Sequence, residues 1–290
     1  MKTKQIILSI IGVFLLSLFF FFIFQISFPK ATSRLETEVA TTAQSQQKET
    51  IRFTALGDSL TEGIGDESGQ GGFVPMVANS LQEEFKLRTV EIENFGVTGN
   101  RSEQILKRLK EQEDLRNNIG TSDIITLTVG GNDLMRVVQR NIFGLSIQTF
   151  EKPLAKYQEQ LTELLEEIRT LNPEAPIYVV GIYNPFYVNF PEITDMQTIV
   201  NNWNTGTEEV ISEEANTYFI PVDQVITAGL VNEVEDEDIQ EGTGNDLNVV
   251  KNTALYEKDH FHPNHLGYQL MARVIKDEIS RTQTEWLLEN

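Results

Sequence analysis

The chain of 290 residues contains no cysteine, so it carries no disulfide framework and cannot be a lipoprotein anchored through a diacylglyceryl-cysteine. Positive charge is also scarce, because 23 Lys and Arg stand against 43 Asp and Glu, which gives a formal net charge of −20. Such a chain repels the phosphates of nucleic acids and anionic lipid headgroups. We therefore expect no nucleic-acid partner and no electrostatic adhesion to a membrane.

Histidine is rare as well, since the only three, His260, His262 and His265, fall in one short stretch. A histidine that acts as general base can therefore come only from this stretch. Asp259 precedes His262 by three residues. At that spacing a turn allows the carboxylate to accept from Nδ1 while Nε2 faces elsewhere. The stretch thus predicts an orienting acid and a general base, with His260 and His265 as loop or helix-start residues.

The same stretch could in principle form a metal site, because His262, His265 and Asp259 are residue types that bind zinc. No thiol lies near them in the sequence, and Pro263 interrupts any helix that would join them. We therefore predict no metal and no other cofactor.

A nucleophile is indicated about 200 residues earlier, where Leu-Gly-Asp-Ser-Leu-Thr at 56–61 follows an alternating apolar run at 51–55. This places Ser59 between a strand and a glycine-containing turn, with Asp58 and Thr61 available to fix the loop. Taken alone, the tetrapeptide Gly-Asp-Ser-Leu indicates nothing more than a turn.

Two further turns carry groups that could stabilise an oxyanion. Gly99 ends the segment Asn-Phe-Gly-Val-Thr-Gly at 94–99, and Asn132 follows the apolar run at 124–129 in Gly-Gly-Asn-Asp. Ester hydrolysis by a serine needs hydrogen-bond donors aimed at the developing negative charge. A backbone N–H at Gly99 and the side-chain amide of Asn132 are suitable donors, although each residue taken singly is better explained as part of a turn.

Together these four blocks, in this order, resemble the SGNH subgroup of the GDSL hydrolases over residues 51 to 282. The resemblance implies that Ser59 is the nucleophile, His262 the base and Asp259 its orienting partner. It further implies oxyanion donors at Ser59 N–H, Gly99 N–H and Asn132 Nδ2. The sequence also looks like a membrane-anchored lipase/acylhydrolase branch of Gram-positive bacteria.

What the resemblance implies about function is a serine esterase or lipase that hydrolyses acyl esters, such as lysophospholipids or other lipid esters, without a cofactor. An O-acetyl esterase acting on cell-wall carbohydrate would suit the same residues. An anchored, catalytically silent binding module is the alternative of another class. The sequence favours the enzyme, because four independent turns each carry the residue type that the chemistry needs.

The N-terminus predicts a membrane anchor over residues 1–30. Lys2 and Lys4 precede an uncharged run from Gln5 to Pro29 that is rich in Ile, Leu and Phe. A secretory signal core needs only about 7 to 15 apolar residues, whereas a membrane span needs about 20. The lysines predict a cytoplasmic N-terminus, with the rest of a single-pass protein outside a Gram-positive type cell. Residues 31–50 are polar and predict a flexible linker.

Past the linker, the hydrophobic pattern predicts one α/β domain over residues 51–290. Strand-like and helix-like stretches alternate, which indicates a flavodoxin-like, three-layer α/β/α sandwich around a mostly parallel sheet. The site turns all follow predicted strands, at the edge where such sheets gather ligands. The predicted strands are 51–56, 89–95, 123–129 and 176–182, and the predicted helices are 73–86, 102–117, 153–171 and 266–279.

Two insertions are harder to assign. The aromatic segment 182–191 offers Tyr183, Phe186 and Tyr187 as candidates for the wall of an acyl pocket, or equally as a loop packed on the core. The acidic segment 232–246 has no spacing typical of a calcium loop and is better interpreted as a solvated lid edge. We expect a monomer whose partner is a small-molecule or lipid ester.

Overall fold

The computed structural model describes residues 47–141, 146–187, 194–228 and 254–289. The predicted anchor, nearly all of the predicted linker and the acidic segment 232–246 lie outside these ranges. Within them, no helix combines the length and apolar character that a membrane crossing requires.

The centre of the domain is a five-stranded sheet. Its strands are β1 (Thr50–Gly57), β2 (Thr89–Gly96), β3 (Ile124–Thr128), β4 (Ile177–Val180) and β5 (Thr217–Ile220). They lie in the order β2-β1-β3-β4-β5, and every neighbouring pair is parallel. All carboxyl ends of the strands therefore point to the same edge. The predicted parallel α/β sheet is confirmed, with β5 as an additional strand that the pattern did not predict.

Helices connect the strands and cover both faces of the sheet. The described helices are α1 (Ser59–Glu62), α2 (Phe73–Phe85), α3 (Ser102–Glu111), α4 (Glu113–Thr121), α5 (Gly131–Arg140), α6 (Ile147–Leu171), α7 (Thr194–Ser212), α8 (Asp223–Ala228) and α9 (His265–Arg281), followed by a short 3₁₀ turn, Gln283–Glu285.

Alternating strand residues divide the hydrophobic core into two layers. In β4, Ile177 and Val179 pack in one core with α3 to α7, while Tyr178 and Val180 pack in the other with α2 and α9. Successive side chains of a strand point to opposite faces, so a central strand of a sheet covered on both sides has no solvent-facing side and is largely apolar, with Thr126 and Thr128 as the buried polar residues of β3. This is why β3 and β4 are buried at all of their residues.

The predicted helix 102–117 is wrong as a single helix, because the chain breaks at Gln112. The buried residues Ile105 and Leu109 are four apart, but the next ones, Leu115 and Ile119, come six residues later and out of helical phase. A straight helix could not turn both pairs to the core. The extended backbone at Gln112 (φ −95°, ψ 111°) restores that orientation.

Smaller differences concern the ends of other elements. The helix predicted from residue 153 begins at Ile147 and contains Pro153, and the strand predicted over 176–182 is limited to Ile177–Val180. Gln47 and Lys48, placed in the predicted linker, pair with Leu288 and Leu287. The folded domain therefore includes residues before the predicted boundary at 51.

Candidate active site

Ser59 lies where β1 ends, at the first position of the one-turn helix α1. The preceding residue, Asp58, caps this helix, because its side chain accepts the N–H of Leu60 at 3.0 Å. Gly63 closes the turn in a left-handed conformation (φ 88°) and donates its N–H to Ser59 O. Ser59 is thus held in a short turn that is stabilised at both ends.

A buried network of hydroxyl groups fixes this turn to the next strand. Thr128, the last residue of β3, donates to Asp58 Oδ1 at 2.8 Å and accepts the Asp58 N–H at 3.1 Å. Its hydroxyl also lies 2.8 Å from that of Thr61. Gly57 is required here, since a Cβ at that position would lie 2.1 Å from Thr128 Oγ1.

Asp58 is almost fully buried, at 4% exposure. Burial raises the pKa of its carboxyl group to about 6, against the hydrogen bonds from Leu60 and Thr128 that favour the charged form. The group is therefore mainly an ionised acceptor at neutral pH and gains a proton as the pH falls through 6.

His262 and Asp259 lie directly beside Ser59. His262 Nε2 is 2.9 Å from Ser59 Oγ, and His262 Nδ1 is 2.7 Å from Asp259 Oδ2. The other oxygen of Asp259 accepts the backbone N–H groups of Phe261 and His262. Partial burial opposes the charge, but these hydrogen bonds hold the pKa of Asp259 below its ordinary value. The three predicted residues form one continuous hydrogen-bonded chain.

The turn that carries His262 is held from two sides. Leu255 and Pro263 form a β-bridge, and Asn264 caps α9 by accepting the N–H of Gly267. On the other side Gly65 (φ 95°) allows close approach, because a Cβ there would lie 3.0 Å from His262 Cβ and 2.4 Å from Pro263 O. The absence of a side chain at Gly65 thus allows the histidine turn to pack against the serine turn.

The other two histidines do not join this chain of contacts. His265 is the first residue of α9, and its Nδ1 lies 3.0 Å from Asp66 Oδ1. His260 adopts a left-handed backbone conformation (φ 53°), and its N–H donates to Tyr256 O. Across the described ranges, no group of three or more His, Asp or Glu is arranged to hold a metal ion.

Asn132 lies at the second position of α5 and lines the Ser59 cavity. Its Nδ2 donates to Asn100 O at 2.9 Å and lies 3.4 Å from Asp58 Oδ2. Gly99 is on the neighbouring exposed loop with φ 76°, and no atom lies within 4 Å of where its Cβ would be. It lines an adjoining cavity together with Asn132 rather than the cavity at Ser59.

Two contacts that sequence reasoning did not find hold these loops together. Glu62 Oε2 accepts both the N–H and the hydroxyl of Thr98 at 2.6 Å, which ties the serine turn to the Gly99 loop. Asp133 accepts the N–H and the hydroxyl of Ser102, which ties that loop to α5. Glu62 directly follows the serine block, and Asp133 lies within the Gly-Gly-Asn-Asp block. Their partners, however, are 36 and 31 residues away in the sequence, respectively.

The cavity at Ser59 is small, about 40 Å³. Of the three aromatic candidates, only Tyr183 lines it, and its hydroxyl donates to Phe261 O at 2.7 Å. Phe186 packs against the hydrophobic core and Tyr187 is 47% exposed, and neither is among the residues that line this cavity. The remaining apolar wall comes from Leu60, Val129, Val180, Ile182, Pro185 and Phe261.

This arrangement is capable of nucleophilic catalysis. A neutral imidazole protonated at Nδ1 donates to Asp259 and leaves Nε2 free to accept the Ser59 proton. The serine hydroxyl opens into a pocket that also contains the Asn132 amide. Nucleophile, base, orienting carboxylate and a hydrogen-bond donor are therefore within reach of one reacting group.

Comparison with known proteins agrees with the fold and the motifs. The chain is 31% identical over 238 residues to YpmR of Bacillus subtilis (strain 168), which covers 82% of this chain and 85% of that protein. Among solved structures, the lipase Lip_vut3 from a goat rumen metagenome superposes with a TM-score of 0.61 at 23% identity, over 78% of this chain and 96% of that one.

A second solved structure is a catalytic mutant of Axe2, an acetylxylan esterase from Geobacillus stearothermophilus. It gives a TM-score of 0.54 at 18% identity, over 85% of this chain and all of that one (100%). At these identities the two structures show the shared fold. The family model of the GDSL-like lipase/acylhydrolases matches residues 55–270, which is most of the described domain. The chain therefore belongs to the GDSL-like lipase/acylhydrolase family and is a hydrolase that acts on ester bonds.

Proposed function

We propose that the protein is a serine carboxylesterase in which Ser59 is the nucleophile, His262 the general base and Asp259 its orienting partner. The observation that carries this proposal is the unbroken chain of contacts from Asp259 Oδ2 through the His262 ring to Ser59 Oγ, at 2.7 and 2.9 Å. No cofactor is needed for this chemistry.

The reaction has two steps. His262 Nε2 takes the Ser59 proton while Oγ attacks the ester carbonyl, and the resulting imidazolium returns that proton to the leaving alcohol. Water then repeats the sequence on the acyl-serine, with His262 again as base, and releases the carboxylic acid. Asp259 remains ionised throughout and stabilises the imidazolium, consistent with its lowered pKa.

The oxyanion donors of this proposal are the N–H groups of Ser59 and Gly99 and the Asn132 amide. The Asn132 NH₂ group has two hydrogens, of which one is used by Asn100 O at 2.9 Å. That bond fixes the orientation of the amide, and the second hydrogen makes only a long contact of 3.4 Å with Asp58 Oδ2, which a substrate oxyanion would replace. Donors that are oriented in advance stabilise the transition state without reorganisation.

The size of the Ser59 cavity favours a short acyl group. One water needs about 10–15 Å³ of such space, so 40 Å³ accommodates about three water-sized groups, comparable to an acetyl group. This supports the O-acetyl esterase alternative over a lysophospholipase with a long acyl chain. Cell-wall carbohydrate would then be a suitable substrate class.

We also propose that residues 1–30 anchor the enzyme in the cell membrane, with the catalytic domain outside and residues 31–50 as the linker. Lys2, Lys4 and the uncharged run from Gln5 to Pro29 support this proposal. A tethered enzyme would meet esters in the envelope near the membrane.

The substrate proposal predicts activity that is highest for short p-nitrophenyl esters in a series from acetate to palmitate. Ser59→Ala should abolish turnover, and hydrolysis by both wild type and Ser59→Ala at no more than the rate of the protein-free blank would favour the silent binding module. Ile182→Ala should shift the optimum to longer chains, because Ile182 lines the cavity. Ile199→Ala is the matched control, since Ile199 is buried but does not line the cavity. A wild-type optimum at palmitate would contradict a short acyl group.

Asn132→Ala should lower kcat about 10²–10³-fold with little change in KM, because an oxyanion donor acts mainly in the transition state. The measurement is steady-state kinetics on p-nitrophenyl acetate. Asn141→Ala, at the other end of α5, is the control and should retain wild-type kcat. Equal kcat for Asn132→Ala and wild type would exclude the amide as an oxyanion donor.

The anchor proposal predicts that the full chain sediments with membranes and resists extraction by high salt and alkaline carbonate, because its contact is hydrophobic. Residues 45–290 expressed alone should stay in the supernatant. Release of the intact full chain by carbonate would contradict a spanning anchor, and a shortened released product would show that the anchor is cleaved.

A further inference from the structure

Beyond the Ser59 cavity, two larger cavities follow in sequence along α5. Asn132 lines both the Ser59 cavity and a neighbouring cavity of about 390 Å³. Three arginines, Arg101, Arg136 and Arg140, line this second cavity and also a third one of about 520 Å³. The side of the site that carries Asn132 therefore adjoins two neighbouring cavities that are lined by arginines.

The third cavity, called here the cationic cavity, is defined by the basic residues Arg101, Arg136, Arg140, Lys152 and Lys156. Among the described residues two carboxylates line it, Glu103 and Asp133, so five positive charges face two negative ones. The whole chain has the opposite balance, with 23 basic against 43 acidic residues. A positive cavity in so acidic a protein attracts anions locally.

The two carboxylates leave most of this positive charge uncompensated. Glu103 pairs with both Arg101 and Arg136, and Asp133 is occupied by the N–H and hydroxyl of Ser102. Burial also raises the pKa of Asp133, which disfavours its charged form. Within the described ranges, Arg140, Lys152 and Lys156 make no ion pair.

Buried donors without acceptors give a second, independent indication. Trp203 is 1% exposed and lines the cationic cavity, yet its Nε1 has no hydrogen-bond partner among the described residues. Arg101 Nε, at the junction of the two larger cavities, is likewise buried without a partner. Buried donors are almost always satisfied in folded proteins, so water or a bound anion is expected to supply the missing acceptors here.

The spacing along α5 relates this charge to the reacting ester. Asn132, Arg136 and Arg140 are at i, i+4 and i+8 and so follow one face of the helix. At 1.5 Å per residue, Arg136 is about 6 Å and Arg140 about 12 Å along the axis from Asn132. An anionic group separated by a few bonds from the scissile ester would fit the shorter of these spacings, that between Asn132 and Arg136.

We propose that the cationic cavity binds a phosphate group on the alcohol part of the ester, which makes the substrate a short acyl ester of a phosphorylated polyol. Guanidinium groups match phosphate oxygens in a bidentate geometry, and the two lysines add charge. The proposal rests on the proposed esterase function and specifies its substrate. The small apolar pocket accepts the acyl group, and the cationic cavity accepts the charged leaving alcohol.

Binding of sn-glycerol 3-phosphate to the full chain tests this proposal without requiring turnover. Calorimetric titration should show binding of glycerol 3-phosphate and none of glycerol at the same concentration. In the variant Arg140→Gln/Lys152→Gln the Kd should rise tenfold or more. Neither residue is ion-paired, so their replacement leaves no carboxylate without a partner.

The matched control is Lys107→Gln/Lys110→Gln, which removes the same charge from exposed positions outside these cavities. It should bind glycerol 3-phosphate as the wild type does. Equal binding of glycerol and glycerol 3-phosphate, or equal weakening in both double variants, would overturn the phosphate site.

Kinetics separate this inference from the proposed function. Wild-type kcat/KM should be about tenfold or more higher for 1-O-acetylglycerol 3-phosphate than for glycerol monoacetate, and Arg140→Gln/Lys152→Gln should reduce that ratio towards one. An unchanged ratio overturns the phosphate site while the esterase stands. Ser59-independent hydrolysis of both esters would instead overturn the esterase. Replacing acetyl by palmitoyl distinguishes a soluble phosphate ester, for which activity falls, from a lipid headgroup, for which it rises.

Discussion

The parallel register of the five strands is the constraint on which the site depends. Because β1, β2 and β3 run in the same direction, the turns that carry Ser59, Gly99 and Asn132 all leave the same edge of the sheet. The histidine turn closes this edge from the start of α9, and it joins the serine across 203 residues of sequence. Each loop is tied to a neighbour by polar contacts, so the reacting groups are positioned by the fold before substrate arrives.

Asp58 shows how the buried contacts couple stability to chemistry. Its carboxylate caps the serine helix, accepts the Thr128 hydroxyl and lies beside the Asn132 amide. A pKa of about 6 means that this carboxylate gains a proton, and with it a donor, just below neutral pH. The same loop region adjoins the second cavity through Asn132, and Arg101, Arg136 and Arg140 line both that cavity and the cationic cavity. Because the chain as a whole is acidic, an anion is attracted to the cationic cavity and repelled by the overall negative charge.

The sequence predicted four of the five strands, the order of the four site blocks and the pairing of Asp259 with His262, because these depend on local pattern and short spacing. It could not predict the role of Thr128, since its contact with Asp58 depends on how β1 and β3 align across 70 residues. The break at Gln112 was hidden because charged residues surround it and the change of phase appears only over two turns. Likewise, Tyr183 and Phe186 have similar sequence contexts, and only the tertiary hydrogen bond to Phe261 places one of them in the cavity wall.

The most direct test of the account is covalent labelling of the folded protein with a fluorophosphonate, read by intact mass and by mapping the modified peptide. An activated serine attacks such a probe through the same base that it uses on esters. We predict one adduct per chain, on Ser59, with a labelling rate that falls about 10³-fold or more in His262→Ala and by less in Asp259→Asn. An adduct on another residue, or equal labelling rates in His262→Ala and wild type, would contradict the central claim that His262 activates Ser59.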